Sequence, residues 1–218
     1  AKFRRRTFRP KPQHRGNPEP MTTALPQPLR NARVLSLALN LPGPAALWRC
    51  ADMGADCKKL EPLAPGGGGA DPMGLYCPGA YVQIHERVQT LQADLKTEAG
   101  QQALHALLAE TDVLLTSFRP SALTKLGLGW EALQQRYSKL SLVRVVGSAG
   151  ELADVPGHDL TYQAEAGLVH STQLPPSLFA DMAGALMASE AVLKAMLISS
   201  RSGRGVFQEI GLAQAAQW

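Results

Sequence analysis

Three short apolar runs constrain this chain most: residues 33–39 (RVLSLAL), 113–116 (VLLT) and 140–146 (LSLVRVV). Each is too short for a helix, rich in Val and Leu, and apolar almost without interruption, the pattern of strands buried on both faces. Helical segments separate them. In residues 97–110, Ala103, Leu104, Leu107 and Leu108 recur at helical spacing, and residues 120–136 read as helical with a break around Gly127 and Gly129. Residues 45–53 read as a helix with Pro44 at its first position, where the missing N–H is not required. Further strands are expected at 57–60, 88–95 and 206–212, helices from about His158 and over 181–200, and an irregular loop over the Gly- and Pro-rich stretch 62–78. Strand–helix repetition with short links predicts an α/β fold with a mostly parallel sheet.

Charge narrows the function classes. The net charge of +4 is concentrated at one end: residues 1–20 hold seven basic side chains against Glu19, so the rest of the chain carries a net −2. The basicity belongs to residues 1–28, read as a disordered basic tail ahead of a domain at 29–218. With four prolines in its first 20 residues and little apolar content, such a tail cannot repay the entropy of ordering. It reads as a solvated extension, with a transit peptide or an RNA-binding arm as alternatives; nucleic acid is not an expected partner of the body. Met21 would serve as an initiator. No apolar stretch reaches the roughly 18 uninterrupted residues of a membrane span. Three cysteines without a CxxC pair suggest neither a disulfide framework nor a zinc site, so the chain reads as cytoplasmic and reduced.

Few residues carry a chemical signal of their own. The run Gly66 to Gly69 lacks the spacing and lysine of a phosphate loop and reads as flexible. His85, His105 and His170 show no ligand partners in sequence, and no metal is expected. In Pro156-Gly157-His158-Asp159, the glycine ends a turn and Asp159 falls at a helix start, where free N–H groups and the helix dipole favour a carboxylate. Two readings fit: a carboxylate that attacks a carbonyl or moves a proton, or a plain helix N-cap.

The order of four segments resembles the family III CoA-transferases, which include carnitine CoA-transferase and α-methylacyl-CoA racemase. The segments are RVLSLALNLPGPAALWRCADMGADCKKLEP, ADLKTEAGQQALHALLAETDVLLTSFRPSALTKLGLGWEAL, PGHDLTYQAEAGL and RSGRGVFQEIGLAQA. The resemblance spans about Leu29 to Trp218 and implies an open Rossmann-like parallel sheet, the front half of the family's large domain. It places Asp159 at the family's catalytic aspartate, with His158 beside it in the motif. In the transferases that aspartate would attack an acyl-CoA thioester to form an anhydride and then an aspartyl-CoA thioester. In the racemase branch it would help move the proton α to the thioester. Lys125 and Arg119 would meet the phosphates of coenzyme A, with Lys59 at the end of the second strand as a further nucleotide contact. Pro42 would lie in the loop over the nucleotide. The alternative for Lys58 and Lys59 is a solvated strand end.

The departures are specific. The basic, asparagine-containing stretch usual before DLK is here His85-Glu86-Arg87-Val88-Gln89-Thr90, so Val88 and Gln89 replace two cations. The glycine-flanked aromatic that usually ends a strand is Gly147-Ser148-Ala149-Gly150. No histidine lies between His105 and His158 to act as the racemase's partner. About half of a family member's length is represented, which implies a homo-oligomer or a longer partner subunit. The expected substrates are acyl-CoA and a carboxylic acid. The competing class is a non-catalytic CoA-binding or dimerising module.

Overall fold

A computed structural model describes residues 26–64, 66–67 and 69–217. The expectations for residues 1–25 lie outside them. Six strands form one sheet: β1 Arg33–Ser36, β2 Asp56–Glu61, β3 Gln89–Gln92, β4 Val113–Thr116, β5 Ser141–Val146 and β6 Phe207–Gly211. Their spatial order is β3-β2-β1-β4-β5-β6, and every neighbouring pair is parallel. The order reverses between β1 and β4, so the carboxyl ends of those two strands open a crevice.

The apolar runs behave as fully buried strands because helices cover both faces. Within β4, Val113 and Leu115 join one core with Val34, Leu47, Val143 and Val192. Leu114 points the other way, into a second core with Leu35, Leu104, Leu123 and Leu142. The first core is covered by α1 (Pro42–Asp52), α8 (Phe179–Ser202) and α9 (Leu212–Gln217); the second by α4 (Glu98–Ala109), α5 (Pro120–Lys125) and α6 (Trp130–Arg136). Two shorter helices, α2 (Met73–Tyr76) and α3 (Pro78–His85), follow β2, and α7 (Asp159–Glu165) follows β5.

Several local readings change. Helix α1 begins at Pro42 rather than Ala45, because Pro42 and Pro44 both fit a first turn whose N–H groups have no intrahelical partner. The 62–78 stretch contains α2, and α3 and α9 were not anticipated; Pro78 opens α3. Strand β3 is shorter than 88–95 and mostly exposed, as its place at the sheet edge dictates. By length and a mean hydropathy of 1.4, α8 meets the compositional test for a membrane span, although charged residues interrupt its apolar run. Here its small face of Ala180, Gly184, Ala188, Ala191 and Ala195 is buried, and it packs on α1, α9 and β5.

Candidate active site

A cavity of about 450 Å³ lies at the carboxyl ends of β1, β4 and β5. Asn40 and Pro42 border it after β1, Ser117 and Arg119 after β4, and Gly147 after β5. The rim is stitched across strands. Leu39 N donates to Ser117 Oγ at 3.2 Å, and Asn40 N donates to Asp71 Oδ1 at 3.0 Å.

Asp159 lies on this cavity and is only 6% exposed. It is the first residue of α7, and His158 is the N-cap. The carboxylate does not cap its own helix. Oδ1 accepts from the backbone N–H of Asp181, in the first turn of α8, at 2.9 Å. Oδ2 accepts from Gln163 Nε2, which also donates to Ser177 O at 2.8 Å. Gln163 sits one turn further along α7, so helix geometry brings its amide back over Asp159. Both carboxylate oxygens are thereby oriented by fixed donors from two elements.

Tyr162 also lines the cavity. It is buried, and its hydroxyl lies where a Cβ on Gly147 or Gly157 would stand. Glycine at those two positions therefore admits the ring between the end of β5 and the turn before α7. Burial, then the charge of Asp181, pushes the Tyr162 hydroxyl up from its ordinary value.

Asp181 is the candidate site residue that sequence reading missed. It lines the same cavity, and burial first, then the charge of Asp159, pushes its carboxyl up to about 7. Near neutral pH it therefore carries a proton about half the time. Its one legible signal was an acidic residue in the first turn of a long apolar helix, which is also ordinary helix chemistry.

The other nominated residues separate. His158, Arg119 and Pro42 reach the cavity, His158 and Arg119 exposed and Pro42 buried. Lys125 is exposed at the end of α5 and is not a cavity wall. Lys59 is no solvated strand end: its side chain is fully buried. Its ammonium contacts Glu61 Oε1 at 2.8 Å, Asp71 Oδ2, and His85 Nε2 at 2.9 Å. All three N–H groups are engaged inside the fold. Glu61, Asp71 and His85 do form a cluster of metal-type ligands that sequence did not reveal, and the ammonium of Lys59 bonds to each of them.

A doubly wound parallel sheet with a buried, doubly oriented carboxylate at its switch-point crevice defines a Rossmann-like α/β domain with a carboxylate-bearing cleft. Comparison narrows this. CoA-transferase family III matches residues 29–218, and the chain belongs to that family. It is 33% identical over 199 residues to the probable fatty acyl-CoA transferase Rv3272 of Mycobacterium tuberculosis, covering 84% of this chain and 50% of the relative. Succinyl-CoA–D-citramalate CoA-transferase of Chloroflexus aurantiacus is 32% identical, over 86% of this chain and 50% of its own length. Mouse α-methylacyl-CoA racemase is 33% identical, over 81% and 46%. The crystal structure of Rv3272 superposes with a TM-score of 0.78 at 30% identity, covering 87% of this chain and 56% of that one. A CAIB/BAIF family protein from Brucella suis gives 0.75 at 27%, covering 88% and 55%. The chain spans about half the length of the curated relatives it matches.

Proposed function

We propose that this chain carries the nucleophile-bearing half of a CoA-transferase site, in which Asp159 moves coenzyme A between an acyl-CoA and a carboxylic acid. The observation that carries this is the Asp159 carboxylate, buried at the switch-point cavity with one donor on each oxygen. A carboxylate oxygen attacks the thioester carbonyl, the C–S bond breaks, and CoA thiolate leaves an aspartyl–acyl anhydride. The thiolate then attacks the aspartyl carbonyl, releasing the first acyl group as its carboxylate and leaving an aspartyl-CoA thioester. The acceptor carboxylate attacks that thioester, the C–S bond breaks to give a second anhydride and free CoA thiolate, and thiolate attack on the new acyl carbonyl yields the new acyl-CoA and regenerates the Asp159 carboxylate. In the two steps in which the aspartyl carbonyl is attacked, the Asp181 N–H faces the oxygen on which negative charge builds, the task of an oxyanion donor. Arg119, at the rim, supplies a cation for an anionic group of the ligand.

Proton transfer α to the thioester is the second reading. The adjacent carboxylates Asp159 and Asp181, with His158 on the same cavity, supply groups for acid–base work. A non-catalytic module is the third, and in either active case a second copy or a longer partner subunit would close the open cleft.

One experiment separates the three. The protein, alone and with a full-length family member as partner, is incubated with acyl-CoA thioesters. Mass spectrometry then follows the peptide containing His158 and Asp159, and deuterium wash-in is measured at the α-carbon. A hydroxylamine-sensitive adduct is expected, and Asp159→Asn should abolish it. Wash-in without an adduct would replace transfer by racemisation; neither signal would leave the module. Titrating CoA against Arg119→Ala and Lys125→Ala assigns the phosphate contacts, and an affinity unchanged by either variant removes that residue from the site.

A further inference from the structure

The fully buried cluster beneath the cavity contains one carboxylate more than its charge requires. Lys59 and Glu61 are both 0% exposed at the side chain and 2.8 Å apart, so this pair is already neutral. His85 is uncharged and adds nothing to the balance. Its Nδ1 lies 2.7 Å from the carbonyl oxygen of Tyr81, which can only accept, so Nδ1 holds the proton and Nε2 offers its lone pair to Lys59. Tyr81 donates from its hydroxyl to Glu61 Oε1 at 2.8 Å. Asp71 then brings a second buried negative charge. Desolvating it is costly, and Glu61 alone neutralises the lysine.

What Asp71 does is visible in its other oxygen. While Oδ2 rests on Lys59, Oδ1 accepts from Asn40 N at 3.0 Å and from Met73 N at 2.9 Å. Asn40 is held there with φ of 65°, a left-handed conformation uncommon for a residue with a side chain. Both segments border the cavity: Asn40 directly, and the Met73 segment through Tyr76, the last residue of α2. One buried carboxylate thus ties the loop after β1 to the start of α2 and anchors both to β2.

We propose that Asp71 is a positioning residue of the candidate active site, fixing the Asn40 and Tyr76 walls, and that Lys59 is its internal counter-ion. Lys59 thereby serves the site without touching a ligand. The inference deepens the acyl-CoA reading, because the two walls matter to whatever occupies the cavity.

The test is amide hydrogen exchange on the whole chain without ligand, read by NMR at Asn40 and Met73. Leu115 and Val143, in the central strands, are the controls. Asp71→Ala leaves the neutral Lys59–Glu61 pair intact and should fold. It is expected to speed exchange at Asn40 and Met73 by on the order of tenfold or more, the effect of losing a bond to a charged acceptor, with the controls unchanged. Asp71→Asn must turn its NH2 group toward either Lys59 or the two N–H groups, so exchange should stay accelerated there; slow exchange in that variant would overturn the role given to Lys59. Unchanged exchange in Asp71→Ala, or equal acceleration at the controls, overturns the proposal. As a second measurement, CoA affinity should fall on the order of tenfold in Asp71→Ala, and fall in Asp71→Asn as well. A wild-type chain that binds no CoA refutes the functional reading and leaves the exchange result to judge Asp71 by itself.

Discussion

Replacing Asp181 by asparagine keeps the shape of the side chain and removes its titration. In the folded protein this carboxyl is pushed up to about 7 from an ordinary 3.8, by burial first and by the Asp159 charge second. Between those values the folded state holds a proton that the unfolded chain releases. The resulting stabilisation is complete below the unfolded pKa, declines as pH rises through the folded one, and is gone above it. Roughly 3 pH units at about 1.36 kcal/mol each set a ceiling of about 4 kcal/mol. Asparagine has no such decline, so Asp181→Asn should gain on the wild type as pH rises, by up to about 4 kcal/mol from about pH 4 to about pH 8. Urea unfolding followed by tryptophan fluorescence across that range reads the difference directly. Subtracting one curve from the other cancels the groups that do not interact with Asp181. Parallel curves would refute the reasoning. In Asp159→Asn the neighbouring charge is gone but burial remains, so the pH dependence assigned to Asp181 should shift to lower pH without vanishing. If it stays in place, the two carboxyls are not coupled.

Gly69→Ala should destabilise the protein by about 1–3 kcal/mol, because a Cβ there would overlap the buried Oε2 of Glu61; an unchanged denaturation midpoint would show that the 66–69 loop moves aside freely. Under native conditions an alkylating reagent should modify Cys77 alone, since Cys77 is exposed while burial pushes the Cys50 thiol up to about 12 and raises Cys57 as well. Rapid modification of all three, counted by mass spectrometry, would contradict this. Deleting residues 1–20 should leave the thermal midpoint unchanged, because seven cations and four prolines add no core. A lowered midpoint would refute that expectation, and steeply salt-dependent RNA binding lost on deletion would identify a nucleic-acid arm instead.

What could be read locally was read well, for a physical reason. The run 113–116 is buried on both faces, and continuous apolarity bounded by polar residues marks such a strand without help from elsewhere. Gly127 and Gly129 marked the break between α5 and α6 because Gly127 adopts φ of 70° and Gly129 provides the next helix's N-cap. Helices α2 and α3 were hidden because Gly and Pro dominate their surroundings, although Pro78 is itself a legitimate first residue of a helix.

The order of motifs in the sequence was enough to point to the family and to single out Asp159. By itself it could not say what holds that carboxylate, nor what becomes of Lys59. Asp159 meets the Asp181 N–H from 22 positions away, and Lys59 meets Asp71 and His85 across 12 and 26. Strand order and helix packing create those encounters, and no local propensity encodes them. The sequence determined where the strands and the longer helices fall and which acid opens α7. Only the tertiary structure decided that this acid caps a different helix, that a second carboxyl shares its cavity, and that a lysine is buried. Hydrophobic patterning is a property of neighbours along the chain, whereas pairing and desolvating charges depends on residues that folding brings together.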